Sequence, residues 1–328
     1  MAERVTIKTI ALDLGISHMT VSRALSGNPN VQKKTRETIV RRAEELGYTK
    51  SATATAMRGD GSKLVGLLLP NITNEFYAKF ANSMALECEE AGLHLIIHLT
   101  NDDHVVEERS LRRLREVQAE AVILVPAPNG VATDQRDFGT MRVVQLIRQR
   151  LLNVPSESLL VADQDAICAA VHHLNKLGCR KIGYIGGDDS LSSGRERMAS
   201  FQTGIRKLVG PTPETYVRTG PPSFETGRQS TLEMIETHSI DGLLCGGFEI
   251  SNGALSAILD SESEAHLSTN FVGYGDHSFY QWVRRGISTI DLPVEELARA
   301  SVKALVANTG ETRPHNKIEI NAEFLLRE

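Results

Sequence analysis

Residues 5–25 read Val5-Thr6-Ile7-Lys8-Thr9-Ile10-Ala11-Leu12-Asp13-Leu14-Gly15-Ile16-Ser17-His18-Met19-Thr20-Val21-Ser22-Arg23-Ala24-Leu25, and their spacing decides how the chain begins. Ile7, Ile10, Ala11 and Leu14 recur at helical intervals, with Thr6 placed to cap the first turn and Gly15 to stop the last. Ser17 then opens a second helix, His18 to Leu25, whose inward residues are Val21, Ala24 and Leu25. Beyond the polar loop Gly27-Asn28-Pro29-Asn30, a third helix carries the stripe Thr35, Ile39, Ala43 and Leu46 and stops at Gly47. Two short helices joined by a tight turn and braced by a third make a helix-turn-helix.

A small bundle that merely packs has the same apolar spacing. The outward face of the second helix separates the two readings. His18, Met19, Thr20, Ser22 and Arg23 gather hydrogen-bond donors, a flexible apolar probe and a guanidinium on one short helix. Free N–H groups behind a hydroxyl cap suit phosphate, and arginine can read guanine through two hydrogen bonds in the major groove. Charge agrees. Residues 1–60 hold ten Lys and Arg against six Asp and Glu, whereas the rest of the 328-residue chain holds 26 against 35. A basic head on an acidic body fits a nucleic-acid binder with a second function.

The same run resembles the head of the lactose-repressor (LacI/GalR) family, whose hallmark is Ile/Val-Ala followed by Val/Ile-Ser-x-x-Thr-Val-Ser-Arg. Val31-Gln32-Lys33-Lys34-Thr35-Arg36 and Glu45-Leu46-Gly47-Tyr48 extend the likeness, with Gln32 where the family usually has a short capping residue. The resemblance implies that His18, Met19 and Arg23 read bases, while Thr6, Ser17, Thr20, Ser22 and Asn30 contact the DNA backbone. It also implies a hinge, residues 49–62, that becomes helical on DNA. Within it Ala54 and Met57 would reach the minor groove, Met57 as an apolar wedge. Lys50 and Thr55 depart from the family's usual Pro and Arg.

From Leu64 onward, short apolar runs alternate with helical patterns. Strands are predicted at 64–70, 93–100, 121–126, 143–147, 159–162, 181–186, 215–219, 242–246, 270–274 and 288–292. Helices are predicted near 75–92, 104–118, 165–177, 194–209, 224–238, 249–260 and 294–307. Such alternation means βαβ units and parallel sheets covered on both faces, and this many strands suits two lobes better than one sheet. Residues 318–328 read as one last strand, without the leucine heptads of a tetramerising tail. The expected fold is therefore α/β, with a helix-turn-helix domain over 1–48, a hinge over 49–62 and a two-lobed body over 63–328.

That body resembles the same family's effector domain, which shares the periplasmic-binding-protein fold. Pro70 to Tyr77, His173 to Gly183, Arg195 to Phe201 and Val272-Gly273-Tyr274 carry the likeness. It implies a ligand cleft between the lobes. Phe76 would be its aromatic wall with Tyr77 behind, Arg197 its guanidinium, Phe224 a lid, and Asp163 an acceptor for a hydroxyl. Many relatives place aspartates where this chain has Gly275 before Asp276 and Phe248 before Glu249. Their displacement suits a sugar acid held by Arg197, or a repositioned ligand using Asp276 and His277.

Other function classes find little support. No apolar run is long enough to span a membrane, and the start lacks a signal-peptide core, so a cytoplasmic chain is expected. Cys88, Cys168, Cys179 and Cys245 are too scattered for a zinc or redox motif. No nucleophile elbow, phosphate loop, dinucleotide fingerprint or metalloprotease motif occurs, so no enzyme, cofactor or metal is expected. The expected partners are double-stranded operator DNA, a sugar or sugar-acid effector and a second copy of the chain. The alternative from another class is a sugar-binding or sugar-processing α/β protein with an accessory helical domain.

Overall fold

The computed structural model describes residues 5–48, 62–131, 134–260, 268–283, 285–307 and 315–327. Its chain divides into two units, Met1–Ser62 and Lys63–Glu328. The hinge residues Ala54 and Met57 lie outside the described residues.

In the first unit the caps act where the sequence puts them. The Thr6 hydroxyl accepts a hydrogen bond from the Thr9 amide while the Thr9 hydroxyl accepts one from the Thr6 amide, opening α1 (Ile7–Leu14); Gly15 closes it with a left-handed φ of 64°. Ser17 caps α2 (His18–Leu25) at the Thr20 amide. Gln32 makes no side-chain cap for α3 (Lys33–Glu45). Ile10, Ala11, Val21, Ala24, Ile39 and Ala43 form the buried centre. Arg42 of α3 clamps Asp13 through Nε and Nη2, at 2.5 and 3.1 Å.

The second unit starts with β1 (Leu64–Leu69), α4 (Glu75–Glu90), β2 (His94–Leu99), α5 (His104–Glu116), β3 (Ala121–Leu124), the short α6 (Gln135–Phe138), β4 (Arg142–Leu146) and β5 (Ser156–Ala162). It continues with α7 (Gln164–Lys176), β6 (Lys181–Gly187), α8 (Ser192–Arg206), β7 (Glu214–Gly220), α9 (Phe224–His238), β8 (Gly242–Gly246), α10 (Phe248–Leu259) and β9 (Asn270–Tyr274). A 3-10 turn (Ser278–Gln281), β10 (Ser288–Asp291), α11 (Val294–Val306), β11 (Asn316–Asn321) and β12 (Glu323–Leu325) follow.

Two six-stranded sheets result, in the orders β11-β5-β4-β3-β1-β2 and β12-β10-β9-β8-β6-β7. Among the described residues every pairing is parallel except β10 with β12. The expected single C-terminal strand is thus two strands in two sheets. Ala322 sits between them, its amide bonded to the Ala162 carbonyl at 3.1 Å. The chain therefore passes between lobes three times, at Asp163, near Leu292–Pro293 and at Ala322, with α11 packing back on α4. One buried cluster runs from Leu67 and Phe80 of the first lobe to Tyr184 and Val272 of the second.

Helices α9 and α10 meet through glycine. A Cβ at Gly253 would fall on the Phe224 carbonyl oxygen, and one at Gly227 on the Ile250 carbonyl oxygen. Backbone cannot swing aside as a side chain can. Alanine ordinarily stabilises a helix by about 1 kcal/mol over glycine. Here Gly253→Ala is expected to destabilise by about 1–3 kcal/mol, the cost of overpacking. Urea unfolding checks the sign; a stabilised variant would mean the helices separate freely.

Candidate nucleic-acid interface and ligand cleft

On α2, Val21 and Ala24 are buried while His18, Met19 and Arg23 are exposed. His18 and Ser22, like Met19 and Arg23, stand four residues apart, so these side chains share the outward side of the helix. Met19 is 53% exposed, an apolar side chain presented to solvent. Ser17 and Thr20 engage each other at the helix start, 2.9 Å apart. Asn30 follows in a loop held by the Arg36 guanidinium, which donates to the Asn28 carbonyl at 2.5 Å. The predicted base-reading residues thus lie together, with Thr6, Ser17, Thr20, Ser22 and Asn30 at α1's cap, on α2 and in the loop beyond.

The second unit holds an open cleft between its lobes, with about 730 Å³ of atom-free space counting the solvent at its mouth. Such a position, beyond the carboxyl ends of parallel strands, is where these sheets bind ligands. Phe76 and Tyr77, in the first turn of α4, line it edge to face with ring centres 5.4 Å apart, and Phe76 stacks on Phe80 behind. Phe248, at the start of α10, lines the opposite lobe. Burial pushes the Tyr77 hydroxyl up from its ordinary value, so it remains a proton donor.

Arg197 enters from α8. Its Nε donates to Asp163 Oδ2 at 2.8 Å, its Nη1 to the Gly246 carbonyl at 3.2 Å, and its guanidinium lies 4.1 Å from the Tyr274 ring centre. Tyr274 in turn donates its hydroxyl to Asp163 Oδ2 at 2.5 Å. Burial opposes the charge on Arg197, but Tyr274 and Asp163 outweigh it and hold the proton. Asp163 is consequently a buried counter-ion behind Arg197 and does not line the cleft, contrary to the expectation of a hydroxyl acceptor.

Three other expected ligand contacts fall elsewhere, His277 among them, buried against Phe248 and outside the cleft lining. Asp276 is taken by Arg327, which grips both its oxygens at 2.6 and 2.8 Å, so it does not face the cavity. Phe224 stands half exposed at the start of α9, and Pro222 lines the cleft in its place. Gly275 has a steric reason: its φ is +86°, and a side chain there would collide with the Phe248 ring. Nor is the cleft poor in acid, because Asp102 and Glu249 both line it. Glu249 is raised above the usual carboxylate range by burial.

Sequence reasoning missed Arg148, a buried arginine in the cleft wall paired with Asp102 at 2.6 Å. The available signal was its place one residue past a predicted parallel strand, at the carboxyl end where ligands bind.

A polar bridge crosses the cleft's rim. Glu75 of α4 accepts from the Ser278 amide at 3.3 Å, and Lys79 donates to the Asp276 carbonyl at 3.2 Å. His277 lies between them, its Nδ1 3.5 Å from Glu75 and its ring packed on Phe248, Phe279 and Tyr280. Burial pushes His277 down to about 4, only partly opposed by Glu75. An unfolded histidine titrates near 6.5, so between these values the unfolded chain binds the extra proton. Stability contributed by neutral His277 is complete above about pH 6.5 and is lost as pH falls toward 4, by about 3 kcal/mol at the limit. Urea midpoints measured from pH 7 to 4.5 should fall more steeply for the unaltered chain than for His277→Gln. Parallel slopes would show that the buried imidazole does not govern acid sensitivity.

Among the described residues no cluster of His, Cys, Asp and Glu has metal-binding geometry, and no helix is long and apolar enough to cross a membrane.

Comparison with known proteins places both units. Residues 6–51 match the model of bacterial regulatory proteins of the lacI family, and residues 171–328 match that of a periplasmic binding protein-like domain. The chain is 23% identical to the ribose operon repressor of Halalkalibacterium halodurans, across 98% of this chain and 96% of that one. It is 25% identical to a probable transcriptional repressor, ExuR, of Bacillus subtilis, across 99% and 98%. Among solved structures, the lac repressor dimer bound to operator and the anti-inducer ONPF superposes with a TM-score of 0.81 at 21% identity, covering 99% of this chain and 98% of that one.

Proposed function

The chain belongs to the lacI family of bacterial regulatory proteins, and from that premise we propose a homodimeric, operator-binding repressor controlled by a sugar or sugar acid held between its lobes. It is a transcriptional regulator, as its relatives are, and not an enzyme. The observation that carries the reading is the presence in one chain of two separate devices. One is a helix that buries Val21 and Ala24 and offers His18, Met19 and Arg23 outward. The other is a cleft walled by aromatic rings and charged side chains.

Residues 1–48 are the reading head, 49–62 the hinge and 63–328 the effector and dimerisation unit. Met57 enters the minor groove at the operator centre, with Ala54 on the same short segment. The protein works in the cytoplasm, where its DNA lies. A ligand that prefers one arrangement of the lobes by a few kcal/mol shifts the population and changes how the paired heads meet the half-sites.

Selection of bound duplexes from a randomised pool tests the proposal. A near-palindromic site should emerge, bound about a thousandfold or more tighter than random DNA, with affinity falling steeply as salt rises. Equal, weak retention of all duplexes would favour the sugar-binding protein with an accessory helical domain.

A further inference from the structure

The cleft's two arginines are not equivalent, and the difference bears on which ligand it takes. A guanidinium grips a carboxylate through two parallel N–H groups, along either its Nε–Nη2 edge or its Nη1–Nη2 edge. Arg197 has already given Nε to Asp163 and Nη1 to the Gly246 carbonyl. Nε is thus committed to a carboxylate and Nη1 is engaged by a carbonyl, which leaves Nη2 as the one terminal nitrogen with no protein acceptor among the described residues. Arg148 gives Nη1 to Asp102 at 2.6 Å and, at 3.5 Å, to the Pro126 carbonyl. Its Nε–Nη2 edge has no protein acceptor among the described residues, and the residue lines the cleft.

The backbone is bent to hold Arg148 there. Ile147 has φ +52°, a left-handed conformation that a β-branched side chain rarely adopts, and the Arg148 amide closes a tight turn on the Leu146 carbonyl at 2.6 Å. Asp102, which steadies Nη1, is itself left-handed with φ +55°. Strain of this kind persists where the surrounding structure over-determines it, and it gathers at functional sites.

We propose that Arg148 is the carboxylate-binding residue of the cleft, and that the effector is a polyhydroxylated monoacid of the aldonate or uronate type. The inference rests on the proposed effector role of the cleft. The ligand's carboxylate takes the free edge of Arg148 in the first lobe. Its hydroxyls reach Glu249 in the second lobe, and Phe76 covers its carbon chain. Arg197 holds Asp163 and the Gly246 strand end, and contributes one nitrogen to a hydroxyl.

Calorimetry on the full chain decides this, with D-gluconate and D-galacturonate set against D-glucose and D-galactose. At least one acid should bind the unaltered protein about tenfold to a hundredfold tighter than its neutral counterpart, the range of a charged hydrogen-bond pair. Arg148→Gln should erase that ratio, lowering the acid's affinity about tenfold or more and the neutral sugar's by less. Arg148→Lys, which keeps the charge without the fork, should retain only part of it. Thermal melts confirm that each variant is folded. Equal affinity of the unaltered chain for acids and neutral sugars overturns the assignment and leaves the effector role standing, as does an equal loss of both in the variants. Binding of none of the four overturns both.

Discussion

Replacing Arg197 by methionine is expected to cost the second unit about 3–5 kcal/mol, the usual penalty for breaking a buried ion pair from one side. The reason lies with the partner left behind. Asp163 is buried where the chain first passes between the lobes, and its charge is offset there by Arg197 Nε at 2.8 Å. The Tyr274 hydroxyl, at 2.5 Å, gives a hydrogen bond but no charge. Without the guanidinium, the buried Asp163 carboxylate loses the cation paired with it. Urea unfolding of the full chain, followed at a wavelength dominated by the second unit, measures the cost. Arg197→Met combined with Asp163→Asn should recover most of it, since the amide oxygen still accepts from Tyr274 and no charge is left unpaired. A single variant within about 1 kcal/mol of the parent would show the pair to be well solvated.

The second large effect is at the other end of the chain. Arg23 is exposed in the last turn of α2, four residues beyond Met19 and on the side of the helix opposite buried Val21. An arginine so placed can span guanine O6 and N7, as the proposed function has it, and losing such a contact costs about 1–3 kcal/mol of operator binding. Arg23→Ala should therefore weaken the selected operator by roughly tenfold to a hundredfold and flatten base preference at one position of each half-site. Its affinity for random duplex should change little. Equal losses on both kinds of DNA would reduce Arg23 to a phosphate contact.

Local signals read well from the sequence wherever the structure answers to neighbours in the chain. Thr6, Ser17 and Gly15 act through residues three or four positions away, and the apolar periods of α1 to α3 are visible in any short window. The strand-helix alternation of the body follows for the same reason. What escaped depends on partners far along the chain. Asp276 looked free because Arg327 lies 51 residues later. Asp163 looked like a ligand contact because its cation arrives from α8, 34 residues on. The last strand read as one because Ile318, Ile320 and Phe324 keep the strand period while Ala322 carries the chain from one sheet to the other. Gly275 read as a lost carboxylate, yet it makes room for Phe248.

The direct test of control is operator affinity measured with and without ligand, on the full chain and the selected duplex. Saturating amounts of the tightest-binding sugar or sugar acid should change that affinity by about 5- to 150-fold, and operator should change the ligand's affinity by the same factor. Operator affinity that stays constant while the cleft fills would contradict a repressor governed from between its lobes.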